Sequence, residues 1–80
     1  MDEKIIQLMR SSDWKDRFRA EVMELSTRLE RLDNMLEKYR NNALDFIPNC
    51  PYDILYEQAV YMRQYLRILQ ERAEIEDIKL

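Results

Sequence analysis

The sequence predicts an all-α protein: two long antiparallel helices (a helical hairpin) preceded by a short N-terminal helical segment, assembling into a helical-bundle oligomer. Three observations predict this class. The 80 residues contain no glycine and two prolines, so long stretches carry no helix breaker. Apolar residues recur at alternating steps of three and four, which is the helical period. A core of this size supplies only about 3–5 kcal/mol, which favours assembly.

The first long helix is predicted over residues 13–41, after a short helical segment over residues 2–10. Its apolar residues form one seam at steps of 4, 4, 3, 4, 3, 4 and 3: Trp14, Phe18, Val22, Leu25, Leu29, Leu32, Leu36 and Tyr39. Ser12, or Ser11 before it, suits the N-cap, and Asp13 and Asp16 suit the positive end of the helix dipole. The helix cannot bury this seam alone, so we expect a second helix along it.

Residues 42–50 are predicted to form a loop, and residues 51–77 a second long helix. Asn41 and Asn42 favour the end of the first helix. Pro51 favours the start of the second, because proline has no amide hydrogen and the first helical turn does not need one. Three apolar loop residues are expected to cap the end of the core: Leu44, Phe46 and Ile47.

The second helix carries two apolar faces. One matches the seam of the first helix at steps of 4, 3, 4, 3 and 4: Leu55, Ala59, Met62, Leu66, Leu69 and Ala73. The other lies roughly 80–140° to one side, at about 100° per residue: Ile54, Tyr61, Tyr65 and Ile68. A hairpin of two helices buries only one face of each helix, so this second stripe would stay exposed to water. We therefore expect it to be an interface, by default with another copy of the chain.

The composition argues against an enzyme. Without glycine there is no phosphate-cradling loop, and without histidine there is no Ser-His, Cys-His or His-metal constellation. Acidic residues at helical spacing, such as Glu71 and Glu74, are expected to form a solvated or salt-bridged face. Cys50 has no histidine to act as its base. We predict neither a metal nor a cofactor.

Charge and cysteine usage indicate a cytosolic protein. The net charge is −3 and the two signs are interspersed, so the chain lacks the basic stripe that sequence-specific or generic nucleic-acid binding needs. A single cysteine is common in reducing compartments. The N-terminus has no apolar run of the length a signal peptide requires, and we expect no membrane partner.

Residues 13–80 resemble a family of small proteins encoded by bacteriophages and prophages of gut Firmicutes and Bacteroidetes, related to a crAss-like phage protein. The most specific parts are LDFIPNCP at Leu44–Pro51 and LQERAEIE at Leu69–Glu76, together with a Met-x-x-Tyr pattern at Met62 and Tyr65. The resemblance implies a phage accessory protein that acts in the cytoplasm of an infected bacterium. It brings no biochemical activity with it.

One departure from this family concerns the turn before LDF. Three residues stand where the family is expected to have a glycine: Asn41, Asn42 and Ala43. The departure concerns the conformation of the turn and leaves the two helices unaffected.

Small phage accessory proteins without catalytic residues are often counter-defence factors, and one such class sequesters immune signals. In architecture the chain is similar to helical phage sponges, which hold a cyclic nucleotide or cyclic ADP-ribose between subunits. Such a site needs aromatic or guanidinium planes for bases and cations for phosphate. Two sets of residues on the second helix supply them. Along one line lie Tyr61, Tyr65 and Arg72, and on the opposite flank lie Tyr56, Arg63 and Arg67.

Two alternatives stay open. In the first, the chain is a helical inhibitor that docks on a host defence protein such as a CRISPR nuclease. Its anchors would be Trp14, Phe18 and the tyrosines of the second stripe, Tyr61 and Tyr65, although Trp14 also fits a core position. The second alternative is a structural or regulatory phage hairpin without a ligand.

Overall fold

Three helices follow one another in the computed structural model, which describes residues 2–80. Their bounds are α1 Glu3–Met9, α2 Trp14–Arg40 and α3 Tyr52–Ile75. The described residues contain no strand, which confirms the all-α class. The predicted long helices, 13–41 and 51–77, exceed α2 and α3 by one or two residues at each end. No described helix is both long enough and apolar enough to cross a bilayer.

The start of α2 differs in one detail from the sequence prediction. Asp13 is the N-cap, and its Oδ1 accepts a hydrogen bond from the backbone N–H of Lys15 at 2.9 Å. Ser11 supports the cap, since its Oγ accepts from the backbone N–H of Asp13 at 3.1 Å. Asp13 therefore takes the place predicted for Ser12 or Ser11, and its carboxylate also suits the positive end of the helix.

Helices α2 and α3 share two core clusters. The first joins the N-terminal half of α2 to the C-terminal end of α3 and the residues after it: Phe18, Val22, Leu25, Leu69, Ala73 and Ile78. The second joins the C-terminal half of α2 to the N-terminal half of α3: Leu29, Leu36 and Ala59. Early α2 meets late α3 and late α2 meets early α3, so the two helices run in opposite directions.

Helix α1 packs on α2 and, within the described part of the chain, does not pack on α3. Ile5 of α1 is buried and lines a groove with Thr27 of α2, whereas Leu8 lines another with Met23. The order of these neighbours shows that α1 also runs opposite to α2. Ala20 of α2 is completely enclosed although it belongs to neither core cluster.

Each long helix is followed, two residues after its last helical residue, by a residue in the left-handed conformation, and neither of these residues is glycine. Asn42 has φ 54° and Asp77 has φ 56°. The next N–H then reaches back to a carbonyl five residues earlier, from Ala43 to Lys38 and from Ile78 to Ala73, both at 2.8 Å. This is the Schellman arrangement, usually built on glycine. Asn42 thus supplies a turn that glycine usually makes.

The loop does not cap the core as the sequence predicts. Phe46 is exposed, Ile47 is 91% exposed and Leu44 is half-buried. The physical reason lies in α3, whose first residue is Tyr52. Tyr52 packs against the second core cluster, and its ring centroid lies 5.3 Å from that of Tyr39. These two rings cover the end of the core in place of the loop.

Truncation of Leu69 tests the core. Leu69→Ala is expected to lower the free energy of unfolding by about 2–5 kcal/mol, because the side chain is completely buried between α2 and α3. Urea denaturation followed by circular dichroism measures the change. Ile47→Ala is the matched control and is expected to stay within about 0.5 kcal/mol. Equal losses for the two variants would contradict this core.

Substitution of Asn42 tests the left-handed helix end. Asn42→Gly is expected to raise the free energy of unfolding by up to about 1 kcal/mol, since glycine adopts positive φ without steric cost. Asn42→Val is expected to lower it by about 1–2 kcal/mol, because a β-branched residue is strained there. Thermal denaturation compares both with the unmodified chain. A stable valine variant would show that Asn42 is not held at positive φ in solution.

Candidate functional site

A row of exposed residues runs the length of α3, away from the core. We name it the α3 seam, and its members recur at steps of 4, 3, 4, 3, 4 and 3: Ile54, Gln58, Tyr61, Tyr65, Ile68, Arg72 and Ile75. Its five large apolar or aromatic members are 45–82% exposed. Ile75 was missed from the sequence, although the step of three beyond Arg72 points to it.

Arg72 links the α3 seam to the core. Its guanidinium carbon lies 5.0 Å from the centroid of the Phe18 ring, which is a cation–π distance. Phe18 itself is buried in the first core cluster. Phe18 is therefore a core residue and not the exposed interface anchor that the sequence proposed, whereas Trp14 remains 45% exposed.

A groove with aromatic walls lies on the opposite flank of α3, where that helix meets the end of α2. We name it the aromatic groove, and its volume is about 300 Å³. From α3 it takes Tyr52, Tyr56, Ala59 and Arg63, and from α2 it takes Asp33, Leu36, Glu37 and Arg40. The rings of Tyr52 and Tyr56 are stacked, with centroids 6.1 Å apart and planes inclined at 26°. The four residues that α2 contributes to the groove lie on one face of that helix, at spacings i, i+3, i+4 and i+7.

Opposite charges line the aromatic groove. Arg63 Nη2 donates to both carboxylate oxygens of Asp33, at 2.8 and 3.0 Å, and so ties α3 to α2 across 30 residues of sequence. Glu37 adds a second carboxylate. Arg40 makes no ion pair with any residue between 2 and 80, so its guanidinium is available to a ligand.

The sequence-predicted ligand residues do not form one site. Tyr61, Tyr65 and Arg72 lie on the α3 seam, whereas Tyr56 and Arg63 line the aromatic groove. The sixth residue, Arg67, lies outside that groove and binds its own helix. It donates to Glu71 at 3.1 Å and to Gln64 at 3.2 Å. Sequence reasoning missed Arg40, because its place beside Tyr56 depends on how α2 and α3 align.

The structure also places the cysteine and the acidic residues that the sequence analysis considered. Cys50 is a free thiol and is half-buried. Among residues 2–80, no three His, Cys, Asp or Glu side chains converge as metal ligands do.

The molecule is thus a small all-helical protein whose third helix presents an apolar seam on one flank and an aromatic groove on the other. A family model described as Sequestin matches residues 12–75, and the chain belongs to the Sequestin family. The family's name indicates that its members sequester a ligand or a partner. No curated protein and no solved structure matches the chain.

The ion pair between Arg63 and Asp33 is expected to contribute little to stability. Both side chains are about half exposed, so solvent screens their attraction. Arg63→Gln should lower the free energy of unfolding by less than about 1 kcal/mol, as should the matched variant Arg67→Gln. Urea denaturation of both checks this. A larger loss for Arg63→Gln alone would assign Arg63 a structural role.

Proposed function

We propose that this protein is a non-catalytic phage accessory protein that counters host defence. It binds and sequesters a nucleotide-derived immune signal, of the cyclic nucleotide or cyclic ADP-ribose type, as an oligomer in the cytoplasm of the host bacterium. Membership of the Sequestin family supports sequestration. The aromatic groove carries the proposal, because it combines stacked rings with cations on rigid helices.

Each part of a nucleotide has a counterpart in the aromatic groove. A base stacks on the exposed ring of Tyr56, which Tyr52 supports from behind. The guanidinium of Arg40, free of any ion pair with residues 2–80, meets a phosphate. Arg63 turns from Asp33 towards the same phosphate, at small cost because that ion pair is exposed.

The two carboxylates of the aromatic groove fit a nucleotide better than a simple polyanion. Once Arg63 turns away, Asp33 accepts a hydrogen bond from a ribose hydroxyl or a base amine, and Glu37 offers the same. A polyphosphate has no donor to offer them at neutral pH. A volume of about 300 Å³ lies at the lower end for small-molecule sites, so we assign one nucleotide unit to each groove.

The α3 seam supports the oligomer. Its large apolar side chains are exposed in the single chain, and small domains commonly complete their cores by symmetric assembly. We therefore assign assembly to the seam and ligand binding to the aromatic groove. Tyr61, Tyr65 and Arg72 then serve as interface residues rather than as ligand contacts.

A thermal-shift assay tests the ligand. Separate samples of the purified protein are saturated with a cyclic dinucleotide, a cyclic trinucleotide or a cyclic ADP-ribose isomer. The ligand class that the protein binds should raise its melting temperature. At 100 times Kd the gain is about 2.7 kcal/mol, which corresponds to about 10 °C or more for a chain of this size. A panel without any shift contradicts the proposed signal.

Variants locate the site. Arg63→Gln is expected to weaken binding about ten- to hundredfold through loss of a charged hydrogen bond, and Tyr56→Ala about tenfold through loss of stacking. Arg67→Gln is the matched control, because it removes the same charge one turn along α3 and outside the groove. Isothermal calorimetry gives the three Kd values. Equal losses at Arg63 and Arg67 would indicate general electrostatic attraction instead of this site.

One observation favours a second candidate, an inhibitor that docks on a host defence protein. Trp14 is 45% exposed, and a partly exposed tryptophan is a typical anchor of a protein interface. Affinity capture from host lysate with the unmodified chain and with Trp14→Ala distinguishes the candidates. A host protein lost only with Trp14→Ala supports the inhibitor, whereas a ligand shift unaffected by Trp14→Ala supports the sponge.

A further inference from the structure

We infer that two copies of the chain pair α3 against α3 in antiparallel orientation, along the α3 seam. In this pairing Tyr65 of each copy faces Ile68 of the other, and Tyr61 faces the partner's Arg72. The inference deepens the assembly half of the proposed function and rests on it. It fixes the direction of the partner and the residues that meet.

The spacing of the α3 seam fits a partner helix that lies along it. Alternating steps of three and four keep a seam facing a neighbouring helix over many turns. The positions fall into two alternating sets. One is wholly apolar or aromatic: Ile54, Tyr61, Ile68 and Ile75. The other contains two polar residues: Gln58, Tyr65 and Arg72. Polar residues at such positions select one register and orientation, at some cost in stability.

Arg72 decides between the two orientations. A parallel pair in register places each seam residue against its own copy, so two Arg72 guanidinium groups would meet within the interface and repel. The antiparallel pair places Arg72 against the partner's Tyr61, and cations favour the face of an aromatic ring. Arg72 already lies over the Phe18 ring, 5.0 Å from its centroid. In the pair the guanidinium would be held between two rings.

The α3 seam complements its own reverse, which points to a second copy rather than to an unrelated helix. Reversal about the midpoint between residues 66 and 67 pairs Tyr65 with Ile68, Tyr61 with Arg72, and the neutral side chain of Gln58 with Ile75, whereas Ile54 falls opposite residue 79, beyond the end of α3. None of these pairs brings two like charges together. Glu57, which flanks the seam, then lies one helical turn from the position opposite the partner's Arg72 and adds an attraction.

Two substitutions at one position test the pairing. Tyr61→Glu and Tyr61→Lys remove the same ring and introduce opposite charges. In the antiparallel pair residue 61 faces Arg72, so the lysine variant should dissociate at least about tenfold more readily than the glutamate variant, because like charges that face each other in an interface repel. In a parallel pair residue 61 faces itself, and the two variants weaken association equally. Sedimentation velocity over a dilution series measures both, with circular dichroism to verify that each remains helical.

Disulfide cross-linking gives a second measurement that does not depend on charge. In a Cys50→Ser background, Gln58→Cys combined with Ile75→Cys should form a covalent dimer on oxidation, because these positions face each other in the antiparallel pair. Each single variant should remain monomeric on a non-reducing gel. Cross-linking by Gln58→Cys alone overturns the antiparallel orientation, as does its absence from the double variant.

The outcomes separate this inference from the proposed function. Equal effects of Tyr61→Glu and Tyr61→Lys overturn the antiparallel pairing and leave oligomerisation intact. A monomeric unmodified chain overturns both the pairing and the assembly half of the proposed function. Ligand binding in the aromatic groove is measured independently, through Tyr56 and Arg63.

Discussion

The packing of the small residues of α3 against the large residues of α2 is the contact on which the rest of the molecule depends. Ala59 and Ala73 allow the two helices to approach closely, and Leu69 fills the space that remains among the side chains of the first cluster. Both core clusters are built across this contact. The aromatic groove and the covered position of Phe18 exist because it sets the spacing and alignment of the two helices.

The same contact explains why α3 keeps several large side chains outside the core. Its fully buried strip is narrow, so large side chains on both flanks stay outside the core. One flank carries the α3 seam and the other carries the aromatic groove, about half a helical circumference apart. The proposed assembly surface and the proposed ligand site therefore share no residue.

Helical periodicity was enough to predict the all-α class, the two long helices and most of the buried residues, since it depends on local spacing alone. The N-cap of α2 and the loop between α2 and α3 were harder to predict. Asp13 is the N-cap instead of Ser12, and the local sequence does not choose between them because both side chains suit that role. Ile47 is exposed because the rings of Tyr39 and Tyr52 already cover the end of the core. The aromatic groove depends on alignment: Asp33 and Arg63 are 30 residues apart, and no local pattern brings them together.

The separation of α1 from α3 has a consequence for the dynamics of the chain. Because α1 packs only on α2 among the described helices, its seven residues can detach without breaking either core cluster. Detachment would expose Ile5, which is buried, and would open the groove that Leu8 of α1 lines with Val22 of the first core cluster. We therefore expect α1 to open at a lower free energy than α2 and α3, which share both core clusters and should open together. The aromatic groove and the α3 seam lie on α2 and α3 alone, so opening of α1 leaves both surfaces intact.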